Sequence, residues 1–261
     1  MRMTARAASP VINLTPRFPR VAMLSLWRND AERDIQARMD RLTDKSYRHP
    51  NLRWIWVCGD SDDATASILG DYAAQHTDKY ITIVEHQTGH VGNDHLTRLK
   101  RLSLSVSEGL SMIIPMDDYV IIHESDLVSP RDLVEQFIAT KKPCIAATTW
   151  LQLDRGLLFY DIWAFRANGK RFTNEAPYHE VYREDELFKV DCVGSCWMFP
   201  AQYVRDGLRC EAGATREICA KLNEAFGQQF WVAAWIKVQQ PRELWEPFGM
   251  SDTEMNKDYW R

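Results

Sequence analysis

The sequence predicts an α/β domain built on a mostly parallel central sheet with helices on both faces. Short apolar runs alternate with helical stretches along the first half of the chain, an order typical of parallel strands joined by helices. The chain has 261 residues, of which 45% are apolar and 26% charged, and these values fit one large globular domain. We place this domain at residues 20–245, between a basic N-terminal arm at 1–19 and a C-terminal tail or lid at 246–261.

The first half of the chain repeats the order strand, polar loop, helix. Each predicted strand is a short apolar run rich in β-branched or aromatic residues, and these runs cover residues 21–26, 52–58, 80–85 and 119–123. Polar residues suited to helix starts, or a proline, precede the predicted helices, which cover residues 30–44, 64–76, 94–112 and a stretch after Pro130. Sheets of this kind bind ligands at the carboxyl ends of their strands.

The second half is less regular. A strand is predicted at 144–150, and an aromatic and polar stretch without clear period follows it to about residue 188. Such a long irregular stretch in a compact domain is usually functional. Further strands are predicted at 190–199 and 230–238, with a helix at 216–226 between them.

Composition excludes several classes of protein. No apolar run approaches the roughly 18–20 residues that span a bilayer, and the N-terminus lacks the apolar stretch of a secretory signal, so we expect a soluble, cytoplasmic protein with no membrane partner. The six cysteines form no CxxC pair, which predicts reduced, buried thiols. The net charge is −4, yet several arginines precede the first acid, Asp30. This basic arm could bind a polyanion or could be an ordinary solvated terminus.

Two carboxylates directly follow the strand at 119–123. Alternate side chains of a strand share a face, so Glu124 and Asp126 can converge, and such hard oxygen ligands suit Mg²⁺ or Mn²⁺. Helix capping is the alternative role for Asp126. Gln239 could add an amide oxygen to the metal site, or the cation could be bound by Asp126 and a diphosphate alone. His123 should point away from Glu124 and is expected to be structural.

Three segments of the sequence resemble motifs of one enzyme family, and they occur in the same order as in that family. Residues 118–127 resemble the DxD segment of GT-A glycosyltransferases, with Glu124 in place of the first Asp. Residues 159–166, FYDIWAFR, are similar to a signature of fungal mannosyltransferases of capsule synthesis and of the Anp1 type, and residues 193–198 resemble their glycine-bearing strand. The resemblance implies a Rossmann-like GT-A fold, a UDP- or GDP-linked sugar donor, and Mn²⁺ or Mg²⁺. It places the cluster Glu124-Ser125-Asp126 at the metal and diphosphate and Asp161 near the donor sugar.

The loops after the first two strands supply candidate donor ligands. Trp27, Arg28 and Asn29 follow the first strand. The indole of Trp27 could stack on a base or ribose, and the guanidinium of Arg28 could pair with a diphosphate. Asp60 or Asp62 could accept hydrogen bonds from the base or ribose. Helix capping or an ordinary surface position is the alternative for each.

Two arginines and two acids complete the predicted site. Arg98 and Arg101 are three residues apart on a helix and therefore share a face, from which either could pair with phosphate or simply meet solvent. An inverting transfer needs a base for the acceptor hydroxyl, and the candidates are Glu217 and Asp191. Glu217 falls where Anp1-type enzymes carry a Glu-rich helix start, although an acid in a first helical turn also suits the helix dipole.

The predicted function is transfer of a sugar from a nucleotide-sugar donor to a hydroxyl acceptor. The acceptor is a glycan or a hydroxymethylated base of viral DNA, which would have to be flipped out of the duplex. A nucleotidyltransferase is one alternative, although the loop after the first strand lacks the glycine that such enzymes usually carry. A non-catalytic module that binds sugar or nucleic acid is another, although it would have no use for Glu124 and Asp126 together.

Overall fold

A computed structural model describes residues 18–44, 49–90, 94–153, 156–159, 165–167, 170–171, 187–227 and 230–240. The predicted tail, and the predicted arm apart from residues 18 and 19, lie outside these ranges.

The first half of the chain has the predicted alternation. Its strands are β1 (Val21–Trp27), β2 (Leu52–Gly59), β3 (Ile81–His86) and β4 (Tyr119–His123). Its helices are α1 (Ile35–Thr43), α2 (Thr65–Gln75), α3 (His95–Ser111) and α4 (Leu133–Ala139). Helix α1 starts later than predicted because Asp34, inside the predicted range, adopts a left-handed φ of 52°, which interrupts a right-handed helix.

The second half contains more strands than the sequence predicts. They are β5 (Cys144–Leu153), β6 (Gly156–Phe159), β7 (Arg166–Ala167), β8 (Lys170–Arg171), β9 (Leu187–Val190), β10 (Cys196–Pro200) and β11 (Phe230–Gln240), with helices α5 (Gln202–Arg205) and α6 (Ala214–Phe226). The single strand predicted at 190–199 is wrong, because residues 191–195 connect two separate strands. Ser195 has a φ of 59°, which does not fit an extended strand.

The main sheet has the strand order β3-β2-β1-β4-β10-β5-β11-β9, and β6 pairs with β5 outside this path. Strands β1, β2, β3 and β4 are mutually parallel, β11 is parallel to β5, and β10 runs antiparallel between β4 and β5. The predicted mostly parallel sheet is therefore confirmed. Because β1, β2, β4, β5 and β11 run in the same direction, their carboxyl ends meet at one edge of the sheet.

Helices cover both faces of the sheet. One buried cluster includes side chains of α3 and α6, such as Leu110 and Ile218. The cluster on the opposite face includes side chains of α1, α2 and α4, such as Met39, Leu69 and Phe137. All six cysteines are free and buried, as predicted. No helix in the described part of the chain is long and apolar enough to cross a membrane.

Two helical glycines give a matched test of this packing. A Cβ added to Gly109 in α3 would lie 2.3 Å from Leu24 Cδ1 and 2.9 Å from Val57 Cγ2, whereas a Cβ on Gly70 in α2 would meet nothing within 4 Å. Overpacking a core costs about 1–3 kcal/mol, and Ala gains about 1 kcal/mol over Gly in a helix. We expect Gly109→Ala to lower the free energy of unfolding and Gly70→Ala to raise it by up to about 1 kcal/mol. Urea denaturation measures both, and equal effects of the two variants would contradict the close approach of α3 to the sheet.

Candidate active site

A buried ion pair ties helix α1 to the loop after β4. Arg38 Nη1 lies 2.8 Å from Asp30 Oδ1, and the same guanidinium donates from Nη2 to Ser125 Oγ at 2.6 Å and from Nε to the Ser125 carbonyl at 3.2 Å. The guanidinium also lies over the Trp27 ring, 4.9 Å from its centroid. Arg38 therefore holds the acidic segment by both its backbone and a side chain.

The sequence patterns discussed above do not point to Asp30 or Arg38. One feature of the sequence could have indicated Arg38. It occupies the apolar face of α1, three residues after Ile35 and four before Leu42, and a charge on that face needs a buried partner. Asp30 supplies that partner from the loop after β1. Its second oxygen accepts from the backbone amide of Arg28 at 3.0 Å.

Asp126 lies beside the end of β11. Gln240 Nε2 donates to Asp126 Oδ2 at 2.5 Å. Asp126 Oδ1 and Gln240 Oε1 are both buried and have no hydrogen-bond partner among the described residues. Burial raises the pKa of Asp126, and the positive charge of Arg38 acts in the opposite direction.

These two buried oxygens without partners fit a hard divalent cation, which prefers carboxylate and amide oxygens. Glu124, two residues from Asp126, is exposed at the same loop, and its backbone amide donates to the Ser195 carbonyl at 2.9 Å. In the described part of the chain, no three His, Cys, Asp or Glu side chains gather as metal ligands. A cation here would therefore need ligand oxygens from a bound molecule as well.

The sequence predicts Gln239 as a metal ligand, but the side chain that contacts Asp126 is that of the next residue, Gln240. The backbone of Gln239 pairs with Val128, with N–O distances of 2.7 and 2.8 Å. Successive side chains of a strand point to opposite faces. Gln240, rather than Gln239, therefore faces the acidic segment.

His123 has no exposed surface. Its Nδ1 lies 2.8 Å from the Glu124 carbonyl, and burial lowers its pKa to about 4. The ring is therefore neutral near pH 7, with Nδ1 donating to that carbonyl. This contact gives His123 a structural role next to the acids.

Two residues predicted to bind the sugar donor, Trp27 and Ser125, point into the core. Trp27 is 1% exposed and packs against Trp56, with ring centroids 5.5 Å apart, so its indole has no face available for a base. Ser125 is buried, and its hydroxyl and carbonyl both accept from Arg38. Both expectations are corrected because these positions belong to the core under the loops.

Asn29 and Asp62 join the loops after β1 and β2. The amide of Asn29 donates to Ser61 Oγ at 3.1 Å, and Asn29 Oδ1 accepts from the Asp62 amide at 3.1 Å. Asn29 thus fixes the relative positions of the two loops, and the side chain of Asp62 is exposed beside them.

Asp60 and three arginines gather at the same edge of the sheet. Asp60 Oδ1 accepts from the Thr88 amide at 2.7 Å, and its Oδ2 accepts from the Thr88 hydroxyl. Burial opposes the ionisation of Asp60, but these hydrogen bonds and the charge of Arg101 lower its pKa overall. Burial and the nearby charges of Arg28 and Arg98 lower the pKa of Arg101. Among the described residues, the charges of Arg28, Arg98 and Asp60 all act on Arg101, and this excess of positive charge favours a bound anion.

Glu217 is not placed to act as a base. Its Oε2 accepts from the backbone amides of Glu211, Ala212 and Gly213 at 2.9, 3.0 and 2.9 Å, and its Oε1 lies 2.7 Å from Lys221 Nζ. Burial alone would raise its pKa, but these hydrogen bonds lower it to about 2. Glu217 caps the loop before its own helix, so the sequence-based role is corrected.

Asp191 also lies away from Asp126. It directly follows Val190, which pairs with Phe230 at the start of β11, whereas Gln240 ends that strand. Asp191 instead lines a pocket beside α6. The third predicted catalytic residue, Asp161, lies outside the described residues.

Comparison with known proteins identifies the fold. No protein-family model matches the sequence, and no curated protein matches it in sequence. Solved structures similar to this chain include GalNAc-T7 with UDP, GalNAc and Mn²⁺ (TM-score 0.59, 10% identity, 85% of this chain). Others are TarS 1-349 of S. aureus (0.53, 11%, 87%) and the mannosyltransferase PcManGT of Pyrobaculum calidifontis with GDP-Man and Mn²⁺ (0.55, 15%, 86%).

The aligned part covers 43%, 62% and 57% of those three proteins, so this chain spans less than two thirds of each. At sequence identities of 10% to 15%, the similarity to these structures shows a shared fold. The chain has the GT-A fold of nucleotide-sugar glycosyltransferases.

The structural role of Glu217 predicts a defined pH dependence of stability. Its pKa of about 2 in the folded chain lies below the ordinary value of 4.5, so its contribution is present above that value and is lost as the pH falls towards 2. We expect Glu217→Gln to lower the unfolding midpoint at pH 7, with the difference from wild type shrinking between pH 5 and pH 2. Glu224→Gln, an exposed acid on the same helix, is the control and should show no such gap. Equal midpoints of Glu217→Gln and wild type at pH 7 would contradict the cap.

Proposed function

We propose that this chain is a glycosyltransferase that moves a sugar from a UDP- or GDP-linked donor to a hydroxyl acceptor. The observation that carries the proposal is a pair of buried oxygens, one of Asp126 and one of Gln240, at the carboxyl edge of the sheet. Neither oxygen has a hydrogen-bond partner among the described residues. This edge is where open α/β sheets bind their ligands. The GT-A fold supports the same function.

The arginine cluster of Arg28, Arg98 and Arg101 is the proposed site of the donor diphosphate. The charges of Arg28 and Arg98 both act on Arg101, and a diphosphate would relieve this repulsion while accepting hydrogen bonds from the guanidinium groups. Asp60 stays ionised beside them and is the proposed acceptor for a donor N–H or O–H of the base or ribose. Asn29 supports this arrangement by joining the two loops.

Asp126, Gln240 and Glu124 are the proposed protein ligands of Mn²⁺ or Mg²⁺. A bound cation would neutralise charge on the nucleotide diphosphate as it leaves. The proposal is supported by GalNAc-T7 and PcManGT, which share the fold and whose structures contain Mn²⁺ with UDP or GDP-Man. Burial favours the protonated form of Asp126, and a cation would favour its carboxylate.

For the acceptor, we favour a saccharide hydroxyl over a hydroxymethylated DNA base. The chain carries a net charge of −4 even with its basic arm included, and a net negative charge disfavours binding to DNA phosphates. The resemblance to capsule-associated and Anp1-type mannosyltransferases makes GDP-mannose, the donor in the PcManGT structure, the first donor to test. Asp161, which that resemblance implies near the donor sugar, remains the proposed carboxylate there.

Donor hydrolysis tests the proposed function. Wild type is incubated with a panel of UDP- and GDP-sugars and Mn²⁺ or Mg²⁺, and release of the nucleotide diphosphate is measured. We expect one donor to be hydrolysed and Asp126→Asn to lower the rate at least about 100-fold, because loss of one electrostatic stabiliser of the transition state costs about 10²–10³ in rate. Asp71→Asn, an exposed acid on α2, is the matched control with an unchanged rate.

The other outcomes separate the competing functions. Release of pyrophosphate from a nucleoside triphosphate would identify a nucleotidyltransferase. Cation-independent sugar binding with every donor intact would identify a binding module. Equal rates for Asp126→Asn and wild type would remove Asp126 from the proposed metal site.

A further inference from the structure

Strand β11 changes register halfway along its pairing with β5. Ala233 pairs with Ala147, but the next paired residue of β11 is Lys237, which lies opposite Thr148. Residues 234–236 therefore lie outside this pairing and form a large β-bulge. Bulges bend a strand and redirect its side chains, and they are common next to active sites.

The bulge inverts the faces of β11. Before it, Val232 lies in the buried cluster that includes α3 and α6, so even-numbered residues face that side of the sheet. After it, Ile236 and Val238 lie in the cluster on the opposite side, which includes α1, α2 and α4. Gln240 continues this alternation, and its side chain accordingly reaches Asp126.

A regular β11 would place the two glutamines elsewhere. If residue 234 continued the first register and paired with Thr148, every later residue would move three positions along β5, about 10 Å at 3.3 Å per residue. Gln239 would then face the side of Gln240, and Lys237 would face the cluster of α1, α2 and α4, where burial of an ammonium group is costly. The bulge therefore determines both the face and the level at which Gln240 reaches the acidic segment.

Thr148 holds the bulge from the neighbouring strand. This residue is 1% exposed, and its Oγ1 lies 3.1 Å from the Ile236 carbonyl and 3.5 Å from the Ala234 carbonyl. Trp150 Nε1 donates to the same hydroxyl at 2.8 Å. An indole N–H can only donate, so the hydroxyl hydrogen is directed to a carbonyl of the bulge. Loss of this hydroxyl would remove a donor from buried backbone, which is costly.

We propose that Thr148 is a positioning residue for the candidate active site. By stabilising the bulge, its hydroxyl fixes the register of β11 that holds Gln240 against Asp126. The importance of this register for cation binding rests on the proposed function. The register itself does not, because it also sets the backbone pairing of Gln239 with Val128.

The neighbouring threonine of β5 provides a matched control. Thr149 is also fully buried, but its side chain points to the opposite face, and its hydroxyl has no hydrogen-bond partner among the described residues. Thr148→Val and Thr149→Val each remove one buried hydroxyl from adjacent positions. Thr148→Ser keeps the hydroxyl and is the conservative variant.

Hydrogen exchange of the Gln239 amide, followed by NMR on the full chain without ligand, tests the register. We expect this amide to exchange at least tenfold faster in Thr148→Val than in wild type, because slippage of the strand end breaks its bond to the Val128 carbonyl. Thr149→Val and Thr148→Ser should exchange as wild type does. The Ile55 amide of β2 is the internal reference, and its exchange should stay unchanged in every variant.

Affinity for Mn²⁺ in the presence of UDP or GDP tests the consequence for the site. We expect Thr148→Val to bind Mn²⁺ at least threefold more weakly than wild type, and Thr149→Val and Thr148→Ser to bind it equally well. Unfolding midpoints confirm that each variant is folded. If valine is not tolerated, Thr148→Cys, whose thiol is a weak donor, should change both measurements in the same direction by less.

The proposal is overturned if the Gln239 amide exchanges at the wild-type rate in Thr148→Val, or if both valine variants accelerate it equally. Faster exchange with unchanged Mn²⁺ affinity would also overturn the positioning role of Thr148 in the site. A wild-type chain that binds no Mn²⁺ would contradict the proposed metal site, whereas the exchange of the Gln239 amide would still decide whether Thr148 fixes the register.

Discussion

The buried ion pair between Arg38 and Asp30 is the interaction on which the arrangement of the acidic segment depends. Arg38 belongs to α1, and its guanidinium contacts both Asp30 in the loop after β1 and Ser125 in the loop after β4. Removing one partner of a buried pair costs about 3–5 kcal/mol, because the other charge is left uncompensated. Such a pair adds little net stability over an apolar contact, so we interpret it as a device that fixes the position of the acidic segment.

Strand direction then brings the remaining groups to the same edge. Parallel β1, β2 and β4 deliver Arg28, Asp60 and Asp126 from separate parts of the chain, and β11 delivers Gln240. The antiparallel strand β10 starts at this edge, and the Ser195 carbonyl just before it holds the Glu124 amide. Each contact is local, but the sheet topology determines that they meet.

The strands and helices of the first half are predictable from sequence because each carries a local apolar period bounded by polar residues. The position of Asp126 at a strand end is predictable for the same reason. Long-range contacts are not. The sequence predicts Trp27 in the loop just after the first strand, but Trp27 is the last residue of β1 and its ring packs in the core against Trp56. Glu217 is an acid in a first helical turn, yet three amides of the preceding loop use its carboxylate. Gln239 and Gln240 lie on opposite faces of β11, and the sequence alone does not show which of the two faces Asp126.

The central claim is that Arg38 positions the acidic segment for a cation and a diphosphate. The most direct test is the affinity for Mn²⁺ in the presence of UDP or GDP, measured by the electron paramagnetic resonance signal of free Mn²⁺, for wild type and Arg38→Lys. Lysine keeps the charge but cannot reproduce the three directed hydrogen bonds of the guanidinium. We predict that a folded Arg38→Lys variant binds Mn²⁺ at least tenfold more weakly than wild type. Equal Mn²⁺ affinity of the two proteins would contradict the claim.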